Sequence, residues 1–350
     1  MVPPRPGNPI VPDDRMQPPK TPPLHNKESM QTTGETQLIL DMDFGIDDSM
    51  ATLYLARSGR ADIVAVGTVH GNTSSAQGAR NARQLLATLG LVAVPVAIGE
   101  AQPLAQPVDY ASEVHGDDGI GGMASGDDPP GAVVDESAAE QIVRLARERP
   151  GELTLLATGP LTNLAVAIGL EPDLGPLLRS VVIMGGAVAV PGNISAYAEA
   201  NIRHDPEAAE TVFAALRNVT LVPLDLTMQC RVDGPELDRI MAASSSPPVD
   251  LVRGMLPQYL DFNGRDLGRV GFPLHDPAAA VLTLNAGFAE YDEAPVEVEL
   301  RGTTSRGMTC VDRRPVPSPS PRPAVRIAMR PVGSIADEFV RTAFEQPVED

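Results

Sequence analysis

The chain has 350 residues, 43 % of them apolar and 3 % aromatic with no Trp, enough for a sizeable core built from Ala, Val, Leu, Ile and Met. A formal net charge of −19 argues against nucleic acid and anionic membrane surfaces as partners, because both demand clustered Lys and Arg. A small neutral substrate, or one reached through a metal ion, suits such a chain. Cys230 and Cys310 form neither a disulfide framework nor a zinc-ligand spacing. No apolar run has the length of a membrane span and no secretory signal opens the chain, so the expected location is the cytoplasm.

In chain order, residues 1–36 come first. "MVPPRPGNPIVPDDRMQPPKTPPLHNK" is proline-rich and almost free of periodic apolar residues, which predicts a disordered, dispensable extension, with Met16 and Met30 as alternative starts. Residues 37–346 read as one domain without repeats. Strands are expected at 38–43 (LILDMD), 63–69, 94–99, 153–159, 180–186 and 219–225, then at 296–300 (VEVEL) and 324–330 (AVRIAMR). Helices are expected over Asp48–Arg57, Ser75–Leu89, Ser137–Arg149, Pro206–Leu216 and Pro277–Asn285. Short apolar runs separated by helices imply an α/β fold: an open, Rossmann-like, mostly parallel sheet flanked by helices, with extra C-terminal strands. "RRPVPSPSPRP" (313–323) is a loop, since prolines cannot join a sheet ladder. In such sheets ligands bind beyond the carboxyl ends of the strands, so the polar residues there are the ones to weigh.

The densest of these is "DMDFGIDD", with Asp41, Asp43, Asp47 and Asp48 inside eight positions. Asp41 and Asp43 alternate along a strand and so are expected on one face. Gly45 permits a turn, and Asp47 and Asp48 open a helix, whose dipole favours negative charge. An N-cap accounts for one aspartate but not for four. Holding them together calls for a cation, and all-oxygen ligands suit Ca²⁺ or Mg²⁺ rather than zinc. An EF-hand loop fails, because counting from Asp41 the fifth position is Gly45 and the twelfth Thr52. Haloacid-dehalogenase-type phosphatases also begin with D-x-D after a strand, but they expect Thr or Val where this chain has Gly45 and an acidic pair.

"DMDFGIDD" resembles the D-x-D-P-G-x-D-D signature of the inosine–uridine-type nucleoside hydrolases. In order behind it come "TVHGN" (68–72), "VHGDDGIGG" (114–122), "LLATGPLTNLA" (155–165), "VVIMGGA" (181–187), "GNISAYAEANIRHDPEAA" (192–209), "LDLT" (224–227) and "PLHDPAAA" (273–280), so the resemblance spans nearly the whole body. It implies the nucleoside-hydrolase fold and hydrolysis of the N-glycosidic bond of a small-molecule ribonucleoside. It further implies a Ca²⁺ held by Asp43, Asp48, the carbonyl of Thr158 and Asp276, its other places taken by a water and the 2′- and 3′-hydroxyls of ribose. By the same resemblance Asp43 is the general base, Asp47 binds the 2′-hydroxyl, and Asn72 lies near water and ribose. Asn193, Glu199 and Asn201 hold the 5′- and 3′-hydroxyls, Met184 packs beneath the sugar or simply fills core, and Asp41 supports the cluster from behind. His275 is implied to protonate the leaving base, near neutrality by its intrinsic pKa, and His115 to ride on a mobile loop over the base. Asp276 has an alternative role as an N-cap before Pro277.

Three positions depart from the pattern. Phe44 replaces the signature proline and is expected to set an aromatic ring beside the metal site. Ala200 replaces an aromatic residue. The stretch 259–272 has no clear match to the tyrosine that some inosine–uridine enzymes place at the base, leaving Tyr259 or Phe262 as substitutes. Phe44 and Ala200 favour one competing reading, a catalytically silent nucleoside- or ribose-binding protein of the same fold. Family members are commonly homodimers or homotetramers, and one of these is expected here.

Overall fold

Strand β1 (Thr36–Met42) shows how the molecule is layered. Along "TQLILDM" the side chains of Leu38, Leu40 and Met42 enter one apolar cluster and Ile39 enters another, all fully buried. A strand covered on both faces reads as a continuous apolar run, which is why it was legible. The computed structural model describes residues 35–267 and 270–346, which fall in one compact unit starting at Gly34. The proline-rich extension expected over residues 1–36 lies outside the described residues as far as residue 34.

From β1 the chain runs through α1 (Ile46–Arg57), β2 (Ala61–Thr68), α2 (Ser75–Thr88), β3 (Val96–Ile98), α3 (Ser112–His115) and β4 (Val133–Val134). It continues through α4 (Ala138–Glu148), β5 (Thr154–Ala157), α5 (Thr162–Leu170), α6 (Leu174–Leu177), β6 (Ser180–Met184), α7 (Ala200–His204), α8 (Pro206–Ala215) and β7 (Val219–Val222). Then follow α9 (Leu224–Thr227), β8 (Arg231–Val232), α10 (Gly234–Ala242), α11 (Pro247–Leu267), β9 (Phe272–Pro273) and α12 (Asp276–Leu284). The last elements are β10 (Ala289–Ala294), β11 (Glu297–Val298), β12 (Thr309–Cys310), β13 (Val325–Pro331) and α13 (Ile335–Val340).

The main sheet has the order β10-β13-β7-β6-β5-β1-β2-β3-β4. All neighbours are parallel except β10 and β13. The chain steps outward from β1 to β4 and then returns to lay β5 against the other side of β1. The order therefore reverses between β1 and β5, and the carboxyl ends of these two strands open the crevice where an α/β sheet takes its ligand.

Two expectations need correction. The run 296–300 does not enter the main sheet: β11 is two residues long and pairs with β12 in a separate antiparallel hairpin. The true edge is β10, "AEYDEA", whose charges hid it; such charges are how an edge strand is kept from pairing with other chains. The 21-residue α11 was also missed, because its two opening prolines and the internal Pro257 break the helical pattern. The expected strand 219–225 stops at Val222, where Pro223 turns the chain into α9.

Candidate active site

The crevice is built from chain segments that leave the sheet. Asp43 follows β1, Thr158 follows β5, and Asp47 and Asp48 occupy the first turn of α1. Asp276 is the first residue of α12, with His275 before it and no side-chain cap, so the capping alternative for Asp276 does not hold. Carboxylate oxygens of Asp47, Asp48 and Asp276 lie within 4.8 Å of one another. Asp43 adjoins them through Asn72, whose Nδ2 donates to Asp43 Oδ1 at 2.9 Å and to Asp48 Oδ2 at 3.2 Å. The Asn72 backbone N–H donates to the other Asp43 oxygen at 2.8 Å. All four aspartates are buried.

The electrostatics follow from this crowding. Burial, then the charge of Asp48, pushes the pKa of Asp43 well above the carboxylate range. Burial with the Asp47 charge raises Asp48 to about 6, and the same two causes drive Asp276 well up; Asp47 is raised by burial. Asp48 also accepts the Gly45 N–H at 2.7 Å and the Thr158 hydroxyl at 2.6 Å, so it closes the open end of α1 while serving the cluster. Asp47 Oδ1 is buried without a hydrogen-bond partner. A cluster of hard oxygen donors with an unpartnered anionic oxygen, and no thiolate or imidazole within it, fits a divalent cation of the Ca²⁺ or Mg²⁺ kind.

Glycine is required at the tight places. A Cβ on Gly71, at φ +154°, would come within 2.0 Å of Asp43 Oδ2, and one on Gly45 within 2.3 Å of Asn72 Nδ2. The "HGN" segment thus lets its backbone reach the carboxylate that Asn72 then holds.

The remaining expected residues divide. Asn201 joins the site: its Nδ2 donates to the Thr158 carbonyl at 2.7 Å and the Met184 carbonyl at 3.2 Å. Glu199 caps α7, its carboxylate accepting three backbone N–H groups, from Gly186, Asn201 and Ile202. Met184 is buried at the end of β6. Asn193 stands apart, exposed, its Oδ1 accepting the Ala200 N–H at 3.0 Å. Asp41 makes no hydrogen bond to the other three aspartates; its partner is Asn163. It lies behind the cluster, where Asn163 Nδ2 donates to it at 2.7 Å and burial lifts its pKa to about 7.

His115 is not the ring of an open lid. It is 5 % exposed, and its Nδ1 accepts the Ile46 N–H at 3.1 Å, satisfying one orphan donor of α1 that Gly45 cannot cap. His275 is half-buried, and its Nδ1 pairs with the Thr227 hydroxyl at 2.9 Å, leaving Nε2 without a protein partner among the described residues. Burial holds both imidazoles at a pKa of about 4, so His275 is neutral at pH 7, contrary to the value expected from the free side chain. Phe44 does not line the cluster either: it is fully buried in the apolar cluster with Leu40, Met42 and Ile46. Its φ of +43° is one that proline, fixed near −65°, cannot adopt.

Sequence reasoning gave no partner to Thr227, although "LDLT" stood out, and missed that Tyr259 donates to Asp47 Oδ2 at 3.3 Å. Asp225 of the same segment accepts the N–H groups of Val188 and Ala189 and so ties down the loop leading to Glu199.

Comparison with known proteins agrees with this geometry. The family model for inosine-uridine preferring nucleoside hydrolase matches residues 38–334. The chain is 36 % identical to a probable uridine nucleosidase 1 of Oryza sativa subsp. japonica, over 79 % of this chain and 85 % of the relative. It is 35 % identical to the inosine-uridine preferring nucleoside hydrolase of Leishmania major, over 79 % of this chain and 88 % of that one. Among solved structures, the plant nucleoside hydrolase PpNRh1 superposes with a TM-score of 0.81 at 28 % identity, covering 89 % of this chain and 99 % of that chain. With its matched segments converging on one acidic crevice at the reversal of the sheet, the chain belongs to the inosine-uridine preferring nucleoside hydrolases.

Proposed function

We propose that the acidic crevice holds one Ca²⁺ against the ribose of a ribonucleoside, and that Asp43 takes the proton of the water that displaces the base. The chain is a ribonucleoside hydrolase of a metal-dependent family, releasing free base and ribose. The observation that carries the finer reading is the buried cluster of Asp47, Asp48 and Asp276 oxygens beside Asp43, whose ionised form at neutral pH calls for a cation.

Asp43, Asp48 and Asp276, with the carbonyl of Thr158, would hold the ion, and the position of Asp47 adds it to this set. When bound, the ion neutralises the cluster and lowers the pKa of an adjacent water. Asn72 pins both oxygens of Asp43, fixing the direction in which it can accept a proton. With the ion in place the Asp43 carboxylate would be ionised and so able to accept that proton. As the C1′–N bond breaks, its electron pair leaves with the base and positive charge grows on the ribose ring, where surrounding carboxylates stabilise it. Asp47 would bind the 2′-hydroxyl and Glu199, Asn201 and Asn193 the 3′- and 5′-hydroxyls, with Met184 beneath the ring. The leaving base would gain a proton through His275, which is neutral at pH 7 and so must first take one up from solvent; Nδ1 is engaged by Thr227, so Nε2 is the atom left to relay it.

Two free thiols accord with a cytoplasmic enzyme, and no described helix is long and apolar enough to cross a membrane. Light scattering distinguishes the expected homodimer from the homotetramer. The test of function is incubation with uridine and inosine, read as reducing sugar. Calcium-dependent ribose release is expected, and tight binding with no release would overturn the catalytic reading.

A further inference from the structure

Tyr259 touches the acidic cluster, and the proposed reaction leaves it without a task. It projects from α11, 3 % exposed, with its ring between His115 (centroids 5.8 Å apart, planes at 39°) and Phe272 (5.3 Å, 64°). Its hydroxyl donates to Asp47 Oδ2 at 3.3 Å. Burial and the carboxylates of Asp47 and Asp276 push its pKa well above the ordinary tyrosine value, so the hydroxyl remains a donor. The other oxygen, Asp47 Oδ1, has no hydrogen-bond partner and lies 4.0 Å from His115 Nδ1, an atom already occupied by the Ile46 N–H.

Asp47 is thus tied at one oxygen and open at the other. Rotation about χ2 of an aspartate is soft, and an untied carboxylate would turn freely between its two ends. We propose that Tyr259 is a positioning residue: it anchors Oδ2 so that Oδ1 is the oxygen Asp47 offers to the cation and the ribose. The tilted and edge-on ring contacts hold Tyr259 between α3 and β9, so α11, an element with Pro257 within it, helps to set the geometry of the first turn of α1. The inference rests on the reading that Asp47 faces ion and sugar.

Tyr259→Phe keeps the ring contacts and removes only the hydroxyl. The holoenzyme variant is measured for Tm, for kcat and KM on uridine, and for calcium retained in graded calcium–EGTA buffers. Loss of one hydrogen bond to a carboxylate predicts calcium held about tenfold more weakly and a raised KM, with kcat changed less and Tm within a few degrees of wild type. In an Asp47→Asn background the same substitution should add no further loss of calcium affinity, since the anchored group has changed. Equal losses in both backgrounds, or a large fall in Tm with calcium affinity intact, would assign the hydroxyl to packing and overturn the proposal. Unchanged KM and calcium affinity in Tyr259→Phe overturn it while the site reading stands. A wild-type chain that binds no calcium removes the site reading and this inference together.

Discussion

Withdrawing the cation should make stability fall with rising pH, and Asp48 sets the scale. Its carboxyl sits at about 6 in the folded, ion-free site against an ordinary 3.8. A carboxylate whose folded pKa lies above its unfolded one binds more protons in the native state, so its contribution is intact below about pH 4 and lost as the pH climbs through about 6. The shift of about two units corresponds to about 3 kcal/mol from this residue. Asp43 and Asp276 are displaced in the same direction and act in the same sense. A bound divalent ion favours the ionised forms and cancels the loss. The assay is thermal unfolding of protein stripped with EGTA at pH 8, exchanged to pH 5 or pH 8, with and without added calcium. At pH 5 protons already neutralise part of the cluster, so calcium should raise Tm less there. About half of the Asp48 contribution falls between pH 5 and pH 8, so through the unfolding entropy of a domain this size Asp48 alone makes a difference of about 2 °C, to which Asp43 and Asp276 add. An equal rise at both pH values, or no rise at either, would refute the reasoning.

Other substitutions probe single residues. Asp43→Asn keeps the size and one acceptor oxygen and should leave Tm near wild type while lowering kcat by roughly a thousandfold or more; near-normal turnover would remove Asp43 from the base role. His275→Ala should slow uridine and inosine by roughly a hundredfold but spare an activated aryl riboside, whose leaving group needs no proton; equal losses on both would argue against proton transfer through His275. Phe44→Pro restores the family pattern but demands a φ near −65° where the chain has +43°, and it empties a buried aromatic site; chemical denaturation should show a loss of about 3 kcal/mol or more, and unchanged stability would mean the turn relaxes freely.

What the sequence disclosed, and what it concealed, follows from packing. The inner parallel strands were legible because they are buried on both faces and leave apolar runs; the two-residue edge strand β4, partly exposed, was not. The edge strand β10 and the helix α11 were not, because one is charged and the other carries Pro257 inside it. In the site, "DMDFGIDD" announced its own cluster because like charges so close together need a cation. It did not disclose that Asp41 pairs with Asn163, a residue far off in the sequence. Contacts between distant segments, such as Thr227 with His275 or Tyr259 with Asp47, leave no trace in spacing and appear only once the chain is folded. The same holds for His115, which accepts the Ile46 N–H because Gly45 has no side chain to accept it.

Equilibrium dialysis at pH 8 against labelled calcium, run on wild type beside Asp48→Asn and Asp276→Asn, bears most directly on the acidic crevice. Wild type should retain a single calcium per chain and release ribose from uridine in proportion to it, and both variants should lose the ion. Full ribose release from wild type with no calcium retained, or undiminished retention in the two variants, would contradict the account.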